Sequence, residues 1–114
     1  MSTNRIEKVN SLLKQEISKI IVRDFDFHGA LITLTHVEAT ANLIEAKAYI
    51  SVLPENKTDE AIKSLNSAVY DIQQKINKRL NMRPIPRIRF IKDAIIAEAA
   101  RVEELLHILK KEEK

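Results

Sequence analysis

The 114-residue chain has no cysteine and no tryptophan, one glycine and three prolines. Without cysteine, neither a disulfide nor a thiolate-bound metal can staple the fold, so a hydrophobic core must hold it, and a cytoplasmic compartment is permitted. Gly29 stands alone, so there is no glycine-rich loop to cradle a phosphate. With Pro54, Pro84 and Pro86 as the only prolines, no flexible Gly/Ser or stiff proline-rich linker divides the chain. No apolar run approaches the roughly 20 residues of a membrane span, and Met1-Ser-Thr-Asn-Arg-Ile-Glu-Lys8 lacks the apolar core of a signal peptide. The expectation is a cytoplasmic protein without a membrane partner. Aromatics are scarce, and Phe25, Phe27, Phe90, Tyr49 and Tyr70 include no pair that reads as the exposed stacking platform of a single-strand binder.

What is present fits one compact domain. Hydrophobic residues at 45% and charged residues at 31% are ordinary globular proportions. A chain of this length supports one core, so residues 1–110 read as a single domain and 111–114 as a short charged tail. The formal net charge of +3 matters less than its distribution. Residues 75–92 carry Lys75, Lys78, Arg79, Arg83, Arg87, Arg89 and Lys92 with no acidic residue, which leaves the rest of the chain net acidic. An unbroken cationic segment of this kind is an electrostatic footprint for a polyanion.

The pattern predicts α-β-β-α-β-α, or α-β-β-α-α-β-α if the long central helix is broken. Ile6, Val9, Leu13, Ile17, Ile20 and Ile21 recur at helical spacing, and Asn4 with Glu7 has the form of a capping box. Gly29 supplies a turn. Residues 31–39 and 46–53 read as antiparallel strands joined through Thr40-Ala-Asn-Leu43. Thr58 is placed to cap a helix whose stripe runs Ile62, Leu65, Val69, Ile72, Ile76 and Leu80, and Pro84 and Pro86 stop it. Arg87-Ile-Arg-Phe-Ile91 alternates as a third strand with both arginines outward. Asp93 is then placed to cap a last helix bearing Ile95, Ile96, Ala99, Val102, Leu105, Leu106 and Leu109.

Catalysis finds no support in this pattern. His28, His36 and His107 are scattered, and no serine lies in a nucleophile motif. We therefore expect no enzyme, no metal, no cofactor and no small-molecule substrate.

Several stretches, in their order, resemble the bacterial ribosome-binding factor A family. They are Arg5-Ile-Glu-Lys-Val9, Ile32-Thr-Leu-Thr-His-Val37, Ala46-Lys-Ala-Tyr-Ile-Ser-Val-Leu53, Leu65-Asn-Ser-Ala-Val-Tyr-Asp-Ile72 and Arg83-Pro-Ile-Pro-Arg-Ile-Arg-Phe90. The resemblance implies an α+β, type II KH-like domain with a three-stranded sheet packed on helices, in which an interrupted helix replaces the RNA-clamping loop of KH domains. It also implies an assembly factor that binds the small (30S) ribosomal subunit and its 16S rRNA, assists late maturation and 5′-end processing, and matters in cold adaptation. The family's kink is an Ala-x-Gly step; here it reads Ala68-Val69-Tyr70, so the alanine matches and the glycine does not. The RNA-binding candidates are Arg5, Lys8, Lys75, Lys78, Arg79, Arg83, Arg87, Arg89 and Lys92, in a protein expected to be monomeric. Two other readings stand beside this one. The first is a protein-docking module using the apolar stripe of 95–109, and the second is a general KH-like binder of single-stranded RNA.

Overall fold

A computed structural model describes residues 2–27 and 29–94, with side chains from Arg5 onward. The elements run α1 (Ser2–Asp24), β1 (Leu31–Ala39), β2 (Glu45–Leu53), a 3-10 turn (Glu55–Lys57), α2 (Thr58–Ser67), α3 (Val69–Arg79) and β3 (Arg87–Lys92). The sheet order is β1-β2-β3, with β1 antiparallel and β3 parallel to the central strand. This is the α+β architecture expected, and it is compatible with a KH-like arrangement. The last predicted helix, 95–109, and the tail lie outside the described residues, as does His28.

Helical and strand periods meet in one core. Val9, Leu13, Ile17, Ile20 and Ile21 of α1, Ala61 and Leu65 of α2, and Ile72 and Ile76 of α3 are buried against Ala46, Ala48, Ile50 and Val52 of β2 and Ile88 and Phe90 of β3. Each fully buried large side chain contributes about 1.5–3 kcal/mol through the water it sheds. The small Ala46 and Ala48 let the helices approach the central strand closely, while Phe90 fills the space over the edge strand.

The helix and turn signals hold unevenly. Asn4 lies inside α1, which begins at Ser2, so it is not the residue before the first turn. Thr58 is the first residue of α2 rather than its cap: its hydroxyl donates to the Glu55 carbonyl at 2.7 Å and is buried, because the 3-10 turn delivers the chain into the helix. The long central helix is broken at Ala68, with φ −95° and ψ 5°. Those angles lie in the bridge region at negative φ, which is open to residues other than glycine, so the break needs no glycine. Tyr70, at the position where the resemblance implies a glycine, is an ordinary residue of α3 and 71% exposed. The helix then ends at Arg79, ahead of both prolines.

The first strand is irregular at Thr35. The buried positions of β1 change phase from Leu34 to Val37 and Ala39, and the register jumps between Leu34 and His36, leaving Thr35 as an extra residue. This β-bulge puts the Thr35 hydroxyl within reach of the Tyr49 carbonyl at 3.2 Å and of the Asp93 carboxylate at 2.6 Å, to which it donates.

β3 lies at the sheet edge, where a strand presents unpaired backbone groups. Two helix carboxamides cover them. Asn66 donates to the Phe90 carbonyl and accepts from the Phe90 amide, both at 2.9 Å. Gln73 donates to the Pro86 carbonyl at 3.1 Å and accepts from the Ile88 amide at 2.9 Å. Replacing Asn66 by Ala should cost about 1–2 kcal/mol, since two half-buried backbone groups lose their partner. Urea unfolding and amide exchange at Phe90 check this; unchanged stability together with unchanged Phe90 protection would contradict it.

Candidate nucleic-acid interface

All nine predicted RNA-binding cations, Arg5, Lys8, Lys75, Lys78, Arg79, Arg83, Arg87, Arg89 and Lys92, are exposed. The fold does not gather them into one stripe. Arg5 and Lys8 lie in the first turns of α1, and Lys75, Lys78 and Arg79 lie on α3. Arg83 sits in the connection to β3, beside Asn77, Pro84 and Ile85 around an open cavity of about 300 Å³, with its guanidinium donating to the Met82 carbonyl at 2.7 Å. Strand alternation then sends Arg87 and Arg89 to the sheet face away from the helices. Lys92, two positions beyond the buried Phe90, points to the helix side and pairs with Glu55 at 3.6 Å.

The cations of α3 divide between structure and solvent. Lys75 pairs with Asp24 at 2.5 Å and Arg79 with Glu16 at 3.2 Å, so two bridges clasp α3 to α1. Their order reverses along the two helices, as antiparallel packing requires. Exposed pairs of this kind add little to stability, but they leave Lys75 and Arg79 less free to meet a phosphate. Lys78 and Arg79 also occupy the last turn of α3, where cations offset the helix dipole. Among the described residues, Arg5, Lys8, Lys78, Arg87 and Arg89 meet no carboxylate within ion-pair distance.

On the outward face of the sheet, register fixes the neighbours. His36, Tyr49 and Ile91 form one row across the three strands, Glu38, Lys47 and Arg89 the next, and Glu45 with Arg87 the one after. The His36 and Tyr49 rings stack with centroids 4.1 Å apart and planes 10° from parallel. The Tyr49 hydroxyl donates to Glu38 at 3.3 Å. Burial, then the Glu38 charge, push the Tyr49 phenol above its usual range. The sequence separates His36 and Tyr49 by a hairpin, and only the register across that hairpin, bulge included, could have shown them as a pair. Asn66 and Gln73 were missed for a related reason: a polar residue on a helix does not announce that it faces a strand edge.

Against this geometry, the ribosome-binding factor A family model matches residues 5–106. The chain belongs to the ribosome-binding factor A family. The ribosome-binding factor A of Chlorobium phaeovibrioides is 34% identical over 113 residues, covering 96% of this chain and 95% of that one. Among solved structures, the crystal structure of ribosome-binding factor A from Thermus thermophilus has a TM-score of 0.64 at 20% identity, covering 76% of this chain and 94% of the other. A Thermus thermophilus ribosome-binding factor A model, fitted into a cryo-EM map of its complex with the 30S subunit, gives 0.59 at 21% identity over 72% of this chain and 88% of that one. At those identities the structural likenesses establish the shared fold. Family membership rests on the sequence matches.

Hydrogen bonds from Arg23 and from Lys75 hold the Asp24 carboxyl below its ordinary value of 3.8. A carboxyl depressed in the folded state favours folding above its unfolded value, and that contribution fades as pH falls through the folded one. The Asp24–Lys75 clasp should therefore persist at neutral pH and open only in acid. A carboxyl-carbon titration should place the Asp24 midpoint below 3.8, moved upward by Arg23→Met and by Lys75→Met; a midpoint at or above the ordinary value in the unaltered protein would contradict this.

Proposed function

We propose that this protein binds the small ribosomal subunit through its 16S rRNA and assists late maturation, including processing of the RNA 5′ end, in the cytoplasm and by binding rather than catalysis. Its relatives carry the name ribosome-binding factor A, and one neighbour of the same fold has been fitted into a 30S complex. The observation that carries the proposal is the exposure of every cation in residues 75–92, a segment without an acid, on a chain of this family. Lysine and arginine on phosphates release condensed counterions, which gives affinity that is salt-sensitive and suited to a folded RNA surface. Among the described residues no group of three or more histidines, cysteines and carboxylates is placed to hold a metal ion. The RNA partner needs none.

The candidate contacts remain Arg5, Lys8, Lys75, Lys78, Arg79, Arg83, Arg87, Arg89 and Lys92, and geometry ranks them. Lys78, Arg87 and Arg89, which meet no carboxylate among the described residues, should contribute more than Lys75 and Arg79, which must first leave Asp24 and Glu16. If about six cations meet phosphates, affinity for small subunits should fall on the order of a thousandfold between 50 and 200 mM salt.

Co-sedimentation with small subunits across a salt series tests both points. Changing Lys78, Arg87 and Arg89 together to Ala should weaken binding and lower the log–log salt slope by about 2 to 3. Changing Lys75 and Arg79 should lower it less. Equal binding and an equal slope for the first variant would overturn the proposal.

A further inference from the structure

The basic segment accounts for phosphate contacts, but the outward face of the sheet also carries a feature that phosphates do not need. His36 and Tyr49 are cross-strand neighbours whose rings lie nearly parallel at 4.1 Å on the outward face of the sheet. The His36 side chain is 45% exposed, and Tyr49, on the central strand, is half-buried. Ile91 extends the row on the β3 side, so an apolar and aromatic strip crosses all three strands. The neighbouring row places Lys47 and Arg89 side by side, with Arg87 one row further. Glu38 lies in the same row, where it accepts the Tyr49 hydroxyl, and Glu45 lies opposite Arg87.

The pair is also held rigidly. The bulge at Thr35 sets His36 opposite Tyr49, and the Thr35 hydroxyl ties the strand to the Tyr49 carbonyl and to the buried Asp93 carboxylate beneath. The Asp93 carboxylate lies 3.8 Å from His36 Nδ1, and the Thr35 hydroxyl lies 3.2 Å from the same nitrogen. Rings fixed in this way lose little entropy when a third planar group stacks on them.

We propose that this sheet face, which already presents Arg87 and Arg89, is also a base-stacking surface, on which an unpaired nucleobase stacks against the His36–Tyr49 pair while Lys47 and Arg89 meet the adjoining phosphates. The inference rests on the small-subunit reading and specifies a single-stranded element within that RNA. Every nucleobase offers a π-face, so the contact tolerates sequence, and the planar guanidinium of Arg89 can either pair with phosphate or stack beside the base. Two acids beside three cations leave the face only mildly positive. The surface therefore depends on stacking for much of its affinity, unlike α3, where charge alone operates.

Aromatic NMR spectra of the full chain can read the rings directly, with hexaadenylate and an abasic phosphodiester of the same length as probes. Hexaadenylate should shift the His36 and Tyr49 ring protons upfield; the abasic strand should leave them in place. Tyr49→Leu should weaken hexaadenylate binding by about five- to a hundredfold, while Tyr49→Phe, which keeps the ring and loses the hydroxyl, should bind nearly as the unaltered protein does. Ring protons equally affected by both strands, or equal binding by Tyr49→Leu, would overturn the inference. So would rings untouched by RNA yet buried in the small-subunit complex, which would assign the face to a protein. If Tyr49→Leu does not fold, the two probe strands on the unaltered chain still decide. Failure here with intact salt-dependent binding to small subunits would remove the stacking contact and leave the phosphate contacts of the basic segment standing.

Discussion

Asn66 and Gln73 stand in for a missing fourth strand. Between them they satisfy the Phe90 amide and carbonyl, the Ile88 amide and the Pro86 carbonyl along the outer edge of β3. The edge would otherwise be open to pairing with another chain, and the β3 backbone would be hydrogen-bonded only through its parallel ladder to β2. Much depends on that docking. Once β3 is fixed, alternation commits Ile88 and Phe90 to the core and Arg87 and Arg89 to the opposite face. A one-residue slip would bury the arginines and expose the core residues, so the carboxamides guard the register of the candidate site as well as the edge.

The break at Ala68 serves the same arrangement. Asn66 lies just before it and Gln73 just after it, so separate helical segments reach different stretches of one short strand. α3 is then free to pack on α1, where Lys75 and Arg79 clasp Asp24 and Glu16. Helix and strand cations therefore behave differently. Those on α3 are partly engaged in holding two helices together, whereas Arg87 and Arg89 project from a rigid strand with no acid in ion-pair contact among the described residues. Preorganised, unpaired cations lose less on meeting a phosphate than ones that must first give up a partner.

Much of this was legible in the residues. The stripes of α1 and of the central helix, the alternation of β2 and the outward arginines of β3 follow from periods of 3.6 and 2. The hairpin at Thr40–Leu43 was legible too, although Leu43, at φ 59°, adopts a left-handed conformation that a leucine seldom takes. What escaped notice was tertiary. Thr58 has the chemistry of a cap, but the 3-10 turn ahead of it redirects its hydroxyl. The glycine that the resemblance implies at position 70 suggested that the kink needs special backbone freedom, yet the break falls at Ala68, at a negative φ open to alanine. The phase change from Leu34 to Val37 marks the bulge in the residues themselves, and the bulge is what sets His36 opposite Tyr49. No local pattern could have assigned Asn66 and Gln73 to an edge 24 and 15 residues away.

If the cations of residues 75–89 meet the small subunit, hydrogen–deuterium exchange of this protein, alone and saturated with small subunits, will register it. Added protection is expected in peptides covering the second half of α3, the connection through Arg83, and β3. Protection confined to other parts of the chain, with these peptides exchanging as they do in the free protein, would contradict that role for the basic surface.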